Sequence, residues 1–106
     1  MHYPAAMAFA AGEFEATIAA AAGEDAVLLA ELRRAFADSL ATQVDLLGRA
    51  RCDGNWHTAA ARLKGLGASF HAGELASLAD EAMDSAPGDP RVLRKLARYS
   101  AGFSSN

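Results

Sequence analysis

Apolar and polar residues repeat with a helical period along most of the chain, and glycine or proline separates the periodic stretches. In the longest stretch, apolar side chains recur every three or four positions from Leu29 to Leu47, with charged residues such as Arg33 and Asp38 between them. The pattern predicts a short helix at about residues 12–22 and four longer helices at about 24–51, 55–71, 73–86 and 89–102.

Local signals mark the ends of the predicted helices. The turn Cys52-Asp53-Gly54-Asn55 offers Asp53 or Asn55 as the N-cap of the helix that follows it. Asp89 followed by Pro90 combines an acidic N-cap with a proline at the first helical position. Because short loops force neighbouring helices to run in opposite directions, we predict an all-α fold, an antiparallel up-down four-helix bundle with a short extra N-terminal helix.

Composition narrows the class of protein further. Alanine supplies 27 of the 106 residues, whereas the chain has only 9 glycines and 3 prolines, which favours helices over sheets and disorder. The length fits one domain, residues 1–106. The net charge of −3, from 10 basic and 13 acidic residues, offers no extended basic field. We therefore expect neither nucleic-acid binding nor binding to an anionic membrane.

The sequence contains few features typical of a metal site, a redox site or a targeting segment. Cys52 is the single cysteine, which excludes an internal disulfide and a CxxC site. The histidines and carboxylates match no metal-binding spacing, so we expect no metal and no cofactor. Met1–Ala11 contains no basic n-region, and no stretch reaches the ~18 uninterrupted apolar residues of a membrane helix. These features favour a cytoplasmic protein.

One stretch of sequence, A-R-L-K-G-L-G-A-S-F from Ala61 to Phe70, stands apart because Gly65 and Gly67 fall inside a predicted helix. An interior glycine costs about 1 kcal/mol relative to alanine, so these two indicate that something approaches the helix backbone closely. His71 follows directly and suits a helix C-terminus, because histidine tolerates left-handed backbone geometry better than most residues.

This stretch resembles the signature of the histidine-phosphotransfer (HPt) domains of bacterial two-component phosphorelays, which reads approximately H-x-L-K-G-x-x-x-S-x-G-A. The matching residues are Leu63, Lys64, Gly65, Ser69 and Ala72, and the resemblance extends over about residues 14–100. It implies an antiparallel four-helix bundle that displays a phosphorylatable histidine on the exposed side of the motif helix.

The chain departs from the HPt pattern at the centre of the motif. Ala61 stands where the family carries its phosphoaccepting histidine, and alanine has no nitrogen that could accept a phosphoryl group. His71 replaces the usual glycine, and Met83 stands where members often carry a Gln or Glu that bonds to the histidine ring. Joint loss of the nucleophile and its support is what a degenerate member would show, so we expect an adaptor without a catalytic residue rather than an enzyme.

The residues around Ala61 form a candidate docking surface for a partner protein. They are small or polar and share one side of the predicted helix: His57, Thr58, Ala61, Lys64, Gly65 and Ala68. Such a strip could receive a helix of a receiver domain, and the resemblance gives Lys64 a docking or phosphate-proximal role. A solvent-exposed face in an alanine-rich helix would produce the same pattern.

The resemblance implies a monomeric HPt-like protein that lacks the phosphoacceptor and binds a response-regulator receiver domain, a sensor histidine kinase, or both. One alternative is an active phosphotransfer protein that uses His57, one turn before Ala61, although Lys64 lies about 10 Å from His57 along the helix axis. Another alternative is a helical protein-association module unrelated to phosphorelays.

Overall fold

A computed structural model describes the backbone of residues 5–104 and the side chains of residues 13–103. Within that part the chain is all-helical, which confirms the predicted class, and it contains no strand. The five helices are α1 (Ala5–Ala22), α2 (Ala26–Arg49), α3 (Asp53–Ser69), α4 (Gly73–Met83) and α5 (Pro90–Ser104). Residues 1–4 and 105–106 of the predicted domain lie outside the described part.

Two helices differ in length from the prediction. The first helix begins at Ala5 rather than near residue 12, because the preceding residues are mostly alanine and a single glycine does not stop so strong a helix former. The fourth helix ends at Met83 rather than near residue 86. Asp84 already has φ −88° and ψ 1°, and Pro87 disfavours helical geometry in the residue before it.

The start of α3 also differs from the prediction. Cys52 occupies the N-cap position with extended backbone geometry, and its side chain caps no backbone N–H. Asp53 is the first helical residue, where its carboxylate faces the positive end of the helix dipole. Neither Asp53 nor Asn55 is therefore the N-cap.

Two other helix starts follow the local signals closely. The Asp25 carboxylate accepts hydrogen bonds from the backbone N–H groups of Val27 and Leu28 at 3.0 and 3.1 Å, which caps α2. The Asp89 carboxylate accepts from the Arg91 N–H at 2.9 Å, with Pro90 as the first residue of α5, as the sequence predicts. Caps of this kind contribute about 1 kcal/mol each.

The helices surround a shared hydrophobic core. The second helix packs on α3 and α5, and α4 packs on the same two helices, whereas α1 lies against α2 and α4. Within residues 5–104 the backbones of α2 and α4 do not approach each other closely, and neither do those of α3 and α5. The largest fully buried side chains are Trp56, Phe36, Ile18, Leu40, Leu47, Leu63, Leu75, Leu96 and Val92.

Aromatic rings attach α1 to the other helices. Phe14 of α1 lies against Phe36, Phe70 and Phe103, with ring centroids between 4.8 and 6.2 Å apart. Together with the fully buried Ile18, this ring contact gives the alanine-rich first helix a defined apolar face. Among the described side chains of α1, Phe14, Ile18 and Ala22 are the buried ones.

The pairing of α3 with α4 fixes the surface on which the motif lies. The buried indole of Trp56 donates from Nε1 to the Ala82 carbonyl at 2.7 Å, near the end of α4. At the other end of α3, the Ala72 N–H donates to the Gly67 carbonyl at 2.7 Å. His71 has φ 55°, so it takes the left-handed position at the helix end, as predicted.

Candidate functional site

All six residues of the predicted docking surface lie on the exposed side of α3, which we call the α3 strip: His57, Thr58, Ala61, Lys64, Gly65 and Ala68. The opposite side of the same helix carries Trp56, Ala60 and Leu63, which are fully buried. The strip presents little side-chain volume to solvent, since three of its members are alanine or glycine. A partner helix could therefore approach the α3 backbone closely.

The two glycines of the motif have different surroundings. A Cβ at Gly67 would lie 2.9 Å from the Ala76 nitrogen and 3.1 Å from the Ala72 carbonyl oxygen. The helix α4 can therefore pack this closely only because Gly67 has no side chain. A Cβ at Gly65 would meet nothing within 4 Å. Close packing inside the fold explains Gly67, and nothing inside the described fold requires Gly65.

Lys64 is bonded to α4. Its Nζ lies 2.7 Å from Oδ1 of Asp80, and both side chains are about half exposed, at 50% and 53%. Exposed pairs of this kind contribute between 0 and about 1 kcal/mol to stability, because water screens the charges. The pair therefore does more to place an ammonium and a carboxylate together on the surface of the protein than to hold the helices together.

Sequence analysis did not identify Asp80 as part of this surface. Lys64 and Asp80 lie at similar distances on either side of the turn between α3 and α4, and that symmetry was the signal that could have found the pair. Met83, which the resemblance aligns opposite Ala61, is half-buried and packs against the hydrophobic core. The α4 side chain that bonds to the strip is Asp80.

The structure brings no supporting group to His57. The side chain is exposed, and within the described residues no side-chain hydrogen bond or ion pair orients its ring. Lys64, the cation that a phosphate on His57 would need, is bonded to Asp80 instead. The geometry around His57 is that of a solvated side chain.

The other histidine among the described residues, His71, has a structural role. His71 Nδ1 lies 2.8 Å from Thr17 Oγ1, and the same hydroxyl donates to the Glu13 carbonyl at 2.8 Å. Because the hydroxyl has a single hydrogen, it accepts from His71, which then carries its proton on Nδ1. The bond attaches α1 to the turn after α3, away from the strip.

Metal-ligating side chains do not gather in the described part of the chain, where no three His, Cys, Asp or Glu residues are placed to hold an ion. In the same residues, no helix has the length and apolar character needed to cross a membrane. Comparison with protein-family models, with curated proteins and with solved structures gave no match for this chain.

Proposed function

We propose that the protein is an HPt-like adaptor of bacterial two-component signalling that cannot accept phosphate. It binds the receiver domain of a response regulator, a sensor histidine kinase, or both, through the α3 strip in the cytoplasm. The proposal combines the motif resemblance of α3 with the exposure of all six strip residues. It makes the protein a competitor or a scaffold for phosphotransfer rather than a carrier.

The proposal includes an antiparallel up-down four-helix bundle made of α2 to α5. The contacts between α3 and α4 support opposite directions, since Trp56 bonds to Ala82 whereas Gly67, further along α3, lies against Ala76, earlier in α4. The ring of helix contacts with no close backbone approach across its diagonals, within residues 5–104, supports four corners. The first helix then lies outside the bundle, against α2 and α4.

Gly65 is the observation that carries the proposal. A glycine in a helix interior costs about 1 kcal/mol relative to alanine, and no atom within 4 Å of the absent Cβ needs the space. A partner that lies against the backbone at Gly65 would need it. The exposed neighbours Ala61 and Ala68 continue the same smooth surface one turn on either side.

The experiment compares the unchanged chain with Ala61→His, each incubated with purified receiver domains carrying labelled phosphate. The unchanged chain is expected to take up no acid-labile label, because Ala61 has no nitrogen to accept a phosphoryl group and Lys64, which could support a phosphate on His57, pairs with Asp80. Labelling of Ala61→His would support an intact docking surface that lacks only its nucleophile. Failure of every receiver and kinase domain to bind either chain would contradict the proposal.

Two alternatives have distinct outcomes in the same experiment. Label on the unchanged chain that disappears in His57→Gln would make the protein an active phosphotransfer protein that uses His57. A helical association module unrelated to phosphorelays would bind neither receiver domains nor histidine kinases. Ala61 favours the adaptor over the first alternative, and the match of Leu63, Lys64 and Gly65 to the HPt signature favours it over the second.

A further inference from the structure

A groove separates the C-terminal end of α2 from the N-terminal half of α3. Its volume is about 390 Å³, and it is lined by Leu46, Arg49, Ala50, Asn55, Thr58, Ala59 and Arg62. The floor is apolar, since Ala50 and Ala59 are buried and Leu46, one of three exposed large hydrophobic side chains among residues 13–103, is 39% exposed. The groove thus offers an apolar surface with polar walls.

The charged side chains that line the groove are both arginines. Arg62 makes no ion pair within the described residues, and Arg49 lies 3.6 Å from Asp45 with both side chains mostly exposed to water. Two guanidinium groups therefore face this space on a chain whose net charge is −3. A local positive site on a negative protein selects a partner that presents a few carboxylates, whereas a polyanion would be repelled by the remaining charge.

We infer that this groove binds an acidic segment of the protein partner, with carboxylates on Arg49 and Arg62 and an apolar side chain over Leu46. Arginine suits this role because its planar guanidinium can donate two parallel hydrogen bonds to one carboxylate. Thr58 belongs both to the groove and to the α3 strip, so the two surfaces are continuous.

The inference rests on the proposed function and deepens it. The α3 strip lets the partner approach the α3 backbone closely. The neighbouring groove selects partners by their charge. Receiver and kinase domains would bind if the segment that lies over the groove carries an acidic residue next to an apolar one. Domains with a basic residue in that segment would be rejected. The groove then determines which partner binds.

The test is calorimetric titration of the full chain with a panel of purified receiver and histidine-kinase domains at about 50 and 200 mM salt. The groove variants are Arg49→Glu and Arg62→Glu, and the strip variant is Gly65→Trp. Arg94→Glu is the matched control, because it makes the same charge change at an exposed residue of α5 that does not line the groove. Circular dichroism checks that each variant keeps its helices.

Each groove variant is expected to weaken binding of the selected partner about tenfold and to reduce its salt dependence, with Arg94→Glu within about twofold of the unchanged chain. Binding that is lost in Gly65→Trp but unchanged in both groove variants would overturn the groove and leave the proposed function standing. Binding by no domain of the panel would overturn both. A dimer in sedimentation velocity that dissociates in Arg62→Glu would assign the groove to a second copy, which also overturns the inference.

Discussion

The Nζ atom of Lys64 lies 2.7 Å from Oδ1 of Asp80, so the ammonium group of the α3 strip is bonded to a carboxylate of α4. Both groups remain about half exposed, and the pair is therefore accessible to a partner. If the partner presents an acidic pocket, Asp80 competes with that pocket for Lys64 and also repels it. The pair is thus expected to weaken docking rather than to strengthen it.

Asp80→Asn tests this expectation, since the change removes the negative charge and keeps the size of the side chain. We expect receiver or kinase affinity to rise about threefold because Lys64 becomes available to the partner's carboxylates. The free energy of unfolding is expected to change by less than about 1 kcal/mol, because the broken pair is solvent-screened. Titration calorimetry and urea unfolding measure the two effects.

The matched control for this experiment is Asp84→Asn, which makes the same change at an exposed position directly after α4. Asp84 makes no ion pair within the described residues, so its loss is expected to leave affinity nearly unchanged. Equal gains in affinity in both variants would mean that the change in net charge, and not the release of Lys64, causes the effect. Weaker binding by Asp80→Asn would mean that the partner recognises the carboxylate itself.

Two glycines of one helix make a second, internally controlled prediction. Gly65→Ala is expected to stabilise the protein by about 0.5–1 kcal/mol, because a Cβ there meets no atom within 4 Å and alanine is the better helix former. Gly67→Ala is expected to destabilise it by about 1–3 kcal/mol, since the new Cβ would lie 2.9 Å from the Ala76 nitrogen. Urea unfolding followed by circular dichroism compares them, and effects of the same sign would contradict the packing of α3 against α4.

The helix pattern and most caps could be predicted from sequence because they depend on neighbours within one turn. Asp89 and Pro90 start α5 as local chemistry dictates, and His71 ends α3 in the left-handed geometry. The predicted start of α1, near residue 12, was wrong because Gly12 was taken to interrupt the helix. The high helix propensity of the alanines around Gly12 outweighs the cost of that one glycine. Local rules rank such competing signals poorly.

The surroundings of the candidate site could be predicted only in part. Helical spacing alone puts the six strip residues on one side of α3, and the structure shows that side to be exposed. The ion pair of Lys64 with Asp80 and the groove between Arg49 and Arg62 join different helices, so they depend on interhelical packing that periodicity does not contain. The different surroundings of Gly65 and Gly67 likewise required the position of α4.

His71 supports a third prediction, about the turn between α3 and α4. Its φ of 55° is strained for a residue with a Cβ and especially for a β-branched one. His71→Val is expected to cost about 1–3 kcal/mol, whereas His71→Gly relieves the backbone and loses the bond to Thr17, for a net change within about 1 kcal/mol. Thermal unfolding of both variants measures this, with Thr17→Val reporting the bond alone. A valine variant as stable as the glycine variant would contradict the left-handed geometry.

Tyr99 gives the last prediction, a loss of stability in alkali. Burial, with a smaller contribution from the nearby Glu74 carboxylate, raises the pKa of Tyr99 from 10.0 to about 12. Because the folded state favours the neutral phenol, Tyr99 contributes to the free energy of unfolding in full below about pH 10. That contribution is lost as the pH rises from about 10 to 12. The free energy of unfolding, measured by urea titration across that range, should fall less steeply in Tyr99→Phe. Equal slopes in the two proteins would show that Tyr99 titrates alike in the folded and unfolded chains.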